Sequence, residues 1–160
     1  MKSRILGLLC LSSLWCIPAS AEQIGEVDTA FKLIGANHKV LVEVFDDPAV
    51  NGISCYISRA KAGGVAGWVG WAQDKSDASV ACRQSGTEMS FTKTLPVQEE
   101  VFTEKQSFLF KRLRVVRMVD GKRRMIVYLV YSDKLIDGSP NNSITAVPIP
   151  ANVSFTVVPK

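Results

Sequence analysis

The sequence is short of the residues that carry most catalytic and metal chemistry. It has one histidine, His38, and it contains no C-x-x-C pair, no G-x-S-x-G motif and no glycine loop ending in Lys-Ser or Lys-Thr. A Ser-His-Asp triad would have to be built on His38 with Asp28 or Asp46, and no nucleophile motif accompanies them. One histidine and four cysteines are too few ligands for a usual zinc site once cysteines pair. We therefore predict no catalytic residue, no metal and no cofactor.

The sequence also has only a small excess of basic over acidic residues. The chain has 160 residues, 47% of them hydrophobic, and a formal net charge of +4. Removing Lys2 and Arg4, which lie in the leader described below, leaves 17 basic residues against 15 acidic ones, a net charge of +2. So small an excess argues against nucleic acid or an anionic membrane as the partner. The length and composition are typical of one globular domain.

No apolar run is long enough to anchor the chain in a membrane, but the N-terminus has the pattern of an export signal. A basic start is followed by an apolar stretch that ends at Pro18 and then by Ala19-Ser20-Ala21. A basic start, an apolar middle and an A-x-A end define a secretory signal peptide. We predict a signal peptide at residues 1–21, cleavage between Ala21 and Glu22, and a soluble periplasmic protein without a membrane anchor.

Cleavage would remove Cys10 and Cys16 and leave one pair, Cys55 and Cys82. Two cysteines in an exported chain favour a disulfide, and the closed loop of about 28 residues would contribute about 3–4 kcal/mol. The alternative is two separately buried thiols. The missing C-x-x-C spacing argues against a redox catalyst.

Hydrophobic periodicity predicts a mainly β fold. Alternating residues indicate strands from Val27 to Leu33, through Val40, Val42 and Val44 on one face, and through 53–58 and 78–82, where both cysteines point inward. Residues 85–104 are polar and poorly periodic and are predicted to be a long connection. The sequence predicts an antiparallel sandwich or barrel of about six or seven strands with one disulfide. A single domain would span 22–150, followed by a divergent tail at 151–160.

Two β-rich runs around Asp120-Gly121 predict a hairpin with many basic side chains. The basic residues are Lys111, Arg112, Arg114, Arg117, Lys122, Arg123 and Arg124. Such a ribbon can bind a polyanion, but basic residues more commonly solvate a strand face and protect a sheet edge. We therefore place no nucleic-acid site on the hairpin.

Several segments together resemble the CreA family of bacterial periplasmic proteins, named for catabolite regulation protein A. The resemblance covers the mature domain through Pro150, and its matching segments are 24–29, 38–40, 43–48, 55–61, 63–64, 74–77, 131–134, 137–140 and 143–148. It implies export and a disulfide within the domain, and it brings no known activity.

The candidate site is the irregular segment 58–77, which begins Ser58-Arg59-Ala60-Lys61 and continues into glycines. Two cations leaving a sheet edge, followed by exposed backbone donors, can bind an anionic group. The ligand-binding residues that we predict are Arg59, Lys61, Gly63, Gly64, Asp46 and Asp77. The competing interpretation is that Arg59 forms a structural ion pair with Asp46, Asp47 or Asp77.

The other interpretations of this region are weaker. Gly63, Gly64, Gly67 and Gly70 lack the register of a dinucleotide loop, and the Asp pairs at 46–47 and 74–77 are common in turns as well as in calcium sites. We expect a non-enzymatic periplasmic protein that binds an envelope protein or a small anionic ligand. The alternative is a periplasmic enzyme with an Asp/Arg site between residues 46 and 77.

Overall fold

A computed structural model describes residues 21–30, 37–61, 78–105, 112–133 and 141–159 of the chain. Strands are the only regular elements in these ranges. They are β1 (Glu22–Ala30), β2 (His38–Asp46), β3 (Val50–Asn51), β4 (Ile53–Lys61), β5 (Ala78–Gln84), β6 (Ser90–Phe91), β7 (Leu95–Pro96), β8 (Gln98–Lys105), β9 (Arg112–Asp120), β10 (Met125–Ser132), β11 (Asn142–Pro148) and β12 (Val157–Val158). The prediction of a mainly β, antiparallel fold with one disulfide is confirmed.

The first sheet has the order β1-β2-β4-β5, with every pair antiparallel. Period-2 alternation explains β2, in which Leu41, Glu43 and Phe45 are buried against the core. Val40, Val42 and Val44 share a face, as predicted, and this is the half-buried outer face of the sheet. The strand β1 lies at the edge, where Val27 is 65% exposed. Phe31 and Leu33 lie outside the described residues.

The second sheet has the order β11-β10-β9-β8 and is also antiparallel. The predicted hairpin forms its centre, with β9 and β10 joined at Gly121 to Arg124 and Asp120 accepting a hydrogen bond from the Arg123 backbone. The prediction that residues 85–104 form a connection is wrong for their second half, because β8 is an eight-residue strand. A register shift between Glu100 and Phe102 breaks its alternation, and two of its positions that approach the core carry glutamates. Both features hide the periodicity of a strand.

The two sheets pack together around one core. The rings of Phe45 on β2 and Phe102 on β8 stack across the interface, with centroids 4.7 Å apart. Along the β5–β11 side, the Thr145 hydroxyl accepts hydrogen bonds from the Cys82 backbone and the Arg83 guanidinium. No backbone ladder joins β5 to β11 in the described residues, so the sheets stay separate instead of closing into one barrel.

The disulfide joins directly opposite residues of two neighbouring strands. Cys55 on β4 is the register partner of Cys82 on β5, their Cα atoms are 4.0 Å apart, and both side chains are fully buried. The predicted bond and its inward orientation are confirmed, and the alternative of two separate thiols is excluded.

The C-terminal residues 149–159 are mostly irregular but pack on the domain. Val153, Phe155 and Val157 contact the core, and β12 pairs in parallel with β7. Arg124, which has a positive φ of 55°, donates hydrogen bonds to the carbonyls of Pro150 and Val153. None of the described segments is a helix long and apolar enough to cross a membrane.

Candidate functional site

Arg59 is held between carboxylates from both sheets. It lies on the inner face of β4, opposite Leu41, and its Nε and Nη2 donate to the two oxygens of Glu43 at 2.7 and 2.8 Å. Nη2 also donates to Glu104 of β8 at 2.9 Å. Burial alone would lower the pKa of Arg59, but the hydrogen bonds and charges of Glu43 and Glu104 outweigh it, so the pKa is raised. Arg59 is therefore always charged and is already bound by two anions.

This first cluster has more negative than positive charge. It contains two carboxylates and one guanidinium, and Glu104 Oε2 is buried without a hydrogen-bond partner among the described residues. A further anion approaching the guanidinium would meet this excess. The arrangement favours a structural role for the guanidinium of Arg59.

A second arginine is bound in the same way near the other end of β2. Arg117 of β9 is fully buried and donates through Nη1 to Asp47 and through Nη2 to Glu99. Asp47 also accepts from the Ala49 backbone and from the Tyr128 hydroxyl, both at 2.8 Å. Burial, followed by the charge and hydrogen bond of Asp47, raises the pKa of Tyr128 far above its usual range, so its proton stays on the phenol.

The two arginine clusters share one geometry. In each, a guanidinium lies between one carboxylate from β2 or the turn after it and one carboxylate from β8. The Phe45–Phe102 stack lies between the two clusters along the same strands. The pairs therefore tie the two sheets together on both sides of the aromatic contact.

The structure does not bring the predicted aspartate and arginine together. Asp46 accepts a hydrogen bond from the Ser54 hydroxyl at 2.6 Å, whereas Arg59 binds Glu43 and Glu104. Asp46 and Arg59 have opposite orientations on the sheet, and the register separates them by five residues, about 16 Å. Gly63, Gly64 and Asp77 lie outside the described residues. Lys61 is exposed at the end of β4, and its charge reaches Glu26 through space.

The basic residues of the hairpin do not form one solvated face. Arg117 is in the core, and Arg114 binds Glu100 and Asp133. Arg124 binds the C-terminal carbonyls, and Arg123 pairs with Asp120 beside the turn. Arg112 and Lys122 are exposed, and Lys111 lies outside the described residues. Most of the described basic groups are thus already paired.

An open cavity of about 460 Å³ lies beside the end of β4. Its walls come from the start of β2, the end of β4 and the starts of β5 and β11. The lining residues are Val40, Ser58, Arg59, Ala60, Ala78, Ser79, Asn141, Asn142 and Ser143. Small side chains on neighbouring strands create the space, and the hydroxyls of Ser58 and Ser79 are hydrogen-bonded at 2.7 Å. We call this cavity the β4–β11 groove.

The groove offers hydrogen-bonding groups more than charge. Serine hydroxyls and asparagine amides, which donate and accept, make up much of its lining. No group of three or more His, Cys, Asp or Glu residues placed to hold a metal ion occurs within the described ranges.

The glutamates that bind Arg59 and Arg117 were not predicted from the sequence. Glu43 and Glu104 lie at inward positions of their strands, and Glu99 reaches the buried Arg117. A carboxylate at an inward position of a strand requires a buried cation as its partner. The sequence did contain a signal for Glu43. Alternation in β2 places Glu43 on the same face as Leu41 and Phe45, which is the face opposite its neighbours Val42 and Val44.

Fold and site together define a disulfide-bonded domain of two packed antiparallel sheets, tied by buried arginine–carboxylate clusters and carrying an open polar groove. The family model described as "CreA protein" matches residues 24–152. The chain belongs to the CreA family. It is 51% identical to "Protein CreA" of Escherichia coli strain K12 over 146 residues, which covers 89% of this chain and 93% of that protein. The same values hold for "Protein CreA" of E. coli O6:H1 and of E. coli O157:H7. No solved structure matches the chain.

Proposed function

We propose that this protein is an exported, non-enzymatic binding protein of the periplasm that captures a small anionic ligand in the β4–β11 groove. The observation that carries the proposal is the groove itself, which lies beside the end of β4. Rigid strands surround it, and the adjacent Cys55–Cys82 bond fixes β4 to β5. Concave sites on a rigid scaffold are where small ligands usually bind.

The residues of the site have different roles in this proposal. Ser58, Ser79 and Ser143 supply hydroxyl groups from the lining, although those of Ser58 and Ser79 also bond each other. We assign the positive charge to Lys61, which is exposed and follows the lining residue Ala60 on β4. Arg59 also lines the groove, but its guanidinium binds Glu43 and Glu104. Its role in this proposal is therefore to hold the end of β4 in position. The same scaffold can present this face to an envelope protein, which is the second class of partner for the site.

The enzyme alternative has less support. It places an Asp/Arg site between residues 46 and 77, and within that range Asp46 and Arg59 have opposite orientations and different partners. Asp77 lies outside the described residues. General acid–base chemistry needs the two groups within hydrogen-bond reach of the same reacting atoms.

Export is supported by the leader pattern and by the disulfide, because disulfides persist mainly in oxidising compartments. The strand β1 begins at Glu22, so cleavage after Ala21 leaves every residue of that strand in the mature protein. Mass spectrometry of the protein recovered from the periplasm should give a chain that begins Glu22-Gln23-Ile24. Recovery of a mature form that retains Cys16 would contradict the assigned signal peptide.

Native mass spectrometry of the periplasmic protein tests the capture itself. The wild-type protein should retain a small anionic adduct, and Ser79→Trp should lose it, because an indole on the exposed Ser79 fills the groove. Thr103→Trp is the matched control, since Thr103 is an exposed strand residue on β8 of the other sheet. An adduct that survives Ser79→Trp, or a wild-type protein with no adduct, would contradict the proposal.

A further inference from the structure

A second concave surface lies at the Gln84 end of β5, whereas the β4–β11 groove lies at the Ala78 end of the same strand. It has a volume of about 540 Å³ and is formed by residues 84–91 on one wall and 150–154 on the other. None of its lining residues belongs to the β4–β11 groove. We call it the C-terminal groove.

The first wall is fixed by a close crossing of two backbone segments. Gly52 has φ +85°, and a Cβ at this position would lie 2.3 Å from the carbonyl oxygen of Glu88. The Gly52 carbonyl accepts hydrogen bonds from the backbone N–H groups of Ser85 and Gly86. The side-chain amide of Gln84 donates to the Gly86 carbonyl at 3.1 Å. These contacts within the protein hold the backbone of this wall against Gly52.

The second wall is fixed by Arg124. Its Nη2 donates to the carbonyls of Pro150 and Val153 at 2.6 and 2.8 Å, and its guanidinium lies 5.2 Å from the centre of the Phe155 ring. Phe155 in turn contacts Phe91 of the first wall, with ring centroids 6.0 Å apart. The guanidinium of Arg124 thus holds the second wall in place, and the two walls meet at the contact between Phe91 and Phe155.

Four polar side chains in this groove have no hydrogen-bond partner among the described residues. They are exposed, and they are Thr87, Glu88, Asn152 and Ser154. Hydroxyl and amide groups both donate and accept, and the carboxylate accepts. The half-buried side chains of Phe91 and Val153 add apolar surface beside them. A preformed site with mixed donors and acceptors next to an apolar surface selects a ligand of the same mixed character.

The charges of the lining residues indicate which class of ligand the C-terminal groove fits. Among the described residues, Glu88 is the one ionisable residue that lines the groove, so an anion meets no lining cation from this part of the chain. A cation would gain little from one exposed carboxylate in water. We propose that the C-terminal groove binds a neutral saccharide, whose hydroxyls reach Glu88, Asn152 and Ser154 while its C–H surface contacts Phe91. This site is independent of the ligand proposed for the β4–β11 groove.

Nuclear magnetic resonance of the ¹⁵N-labelled exported protein tests this site, with glucose, N-acetylglucosamine and maltose as probes. At least one sugar should shift the amide signals of residues 84–91 and 150–154 and reach saturation. Asn152→Trp, which fills the groove, should abolish the shifts, and Asn152→Ala should weaken binding at least tenfold while keeping the native spectrum. Ser79→Trp, which fills the other groove, should leave the binding unchanged.

Three results would overturn the proposal. The first is the absence of a saturable shift with any of the three sugars. The second is a shift that persists in both Asn152 variants or that maps to residues 58–60 and 142–143. The third is tighter binding of lysinamide or inorganic phosphate than of every sugar, which would assign the groove to a charged ligand.

Discussion

At the scale of single residues, the fold depends on two arginines that composition alone would place at the surface. Arg117 is fully buried together with Asp47, and Arg59 is 14% exposed between Glu43 and Glu104. A buried pair does not by itself add much stability, but removing one partner leaves an uncompensated charge in the core. The two arginines therefore matter most when one of them is lost.

Arg117→Ala should lower the free energy of unfolding by about 3–5 kcal/mol, because it leaves the buried carboxylate of Asp47 without its cation. The matched control is Arg123→Ala, whose pair with Asp120 is exposed and should cost less than about 1 kcal/mol. Urea unfolding of the two variants measures the difference. Equal losses of unfolding free energy in the two variants would show that the Asp47–Arg117 contact does not hold the sheets together at this end.

A second variant applies if Arg117→Ala does not fold. Tyr128→Phe removes one hydrogen bond to Asp47 and should lower the free energy of unfolding by about 1.5–3 kcal/mol.

At the scale of elements, the predicted strands and the missed ones differ in what their inward positions carry. The strands β4, β9 and β10 were predictable because apolar residues occupy most of their inward positions, with Arg59 and Arg117 as the exceptions. The strand β8 was not predictable, because Glu99 and Glu104 bind arginines on other strands and a bulge disturbs the phase between them. The periodicity of a short segment contains no information about a cation that lies 18 or 45 residues away in the sequence.

The turn between β3 and β4 has the strictest local requirement. Gly52→Ala should lower the free energy of unfolding by about 1–3 kcal/mol, because alanine is strained at φ +85° and its Cβ would meet the Glu88 carbonyl. Gly121→Ala is the matched control, since a Cβ there has no atom within 4 Å, and it should have little effect. Thermal unfolding compares the two variants. A Gly52→Ala protein as stable as Gly121→Ala would show that the crossing of residues 52 and 88 is looser than described.

At the scale of the whole molecule, the sequence predicted the class of fold, the disulfide and the family, because each depends on patterns within short segments. Apart from the disulfide, it did not predict which residues distant in the chain meet. Ser58 and Ser79 meet beside Asn142 because β5 and β11 run next to each other, and Arg59 meets Glu104 only when the two sheets pack. The β4–β11 groove is a product of this assembly, so its lining could be named only from the structure.

In our proposal Arg59 stabilises the fold and the β4–β11 groove captures the ligand, and one variant separates these two roles. The most direct measurement is native mass spectrometry of Arg59→Ala purified from the periplasm beside the wild-type protein, with the melting temperature recorded on the same samples. We predict that Arg59→Ala melts at a lower temperature, because Glu43 and Glu104 lose their shared cation. The variant should still carry the anionic adduct. Loss of the adduct with an unchanged melting temperature would contradict the account and would identify the Arg59 guanidinium as the group that binds the ligand.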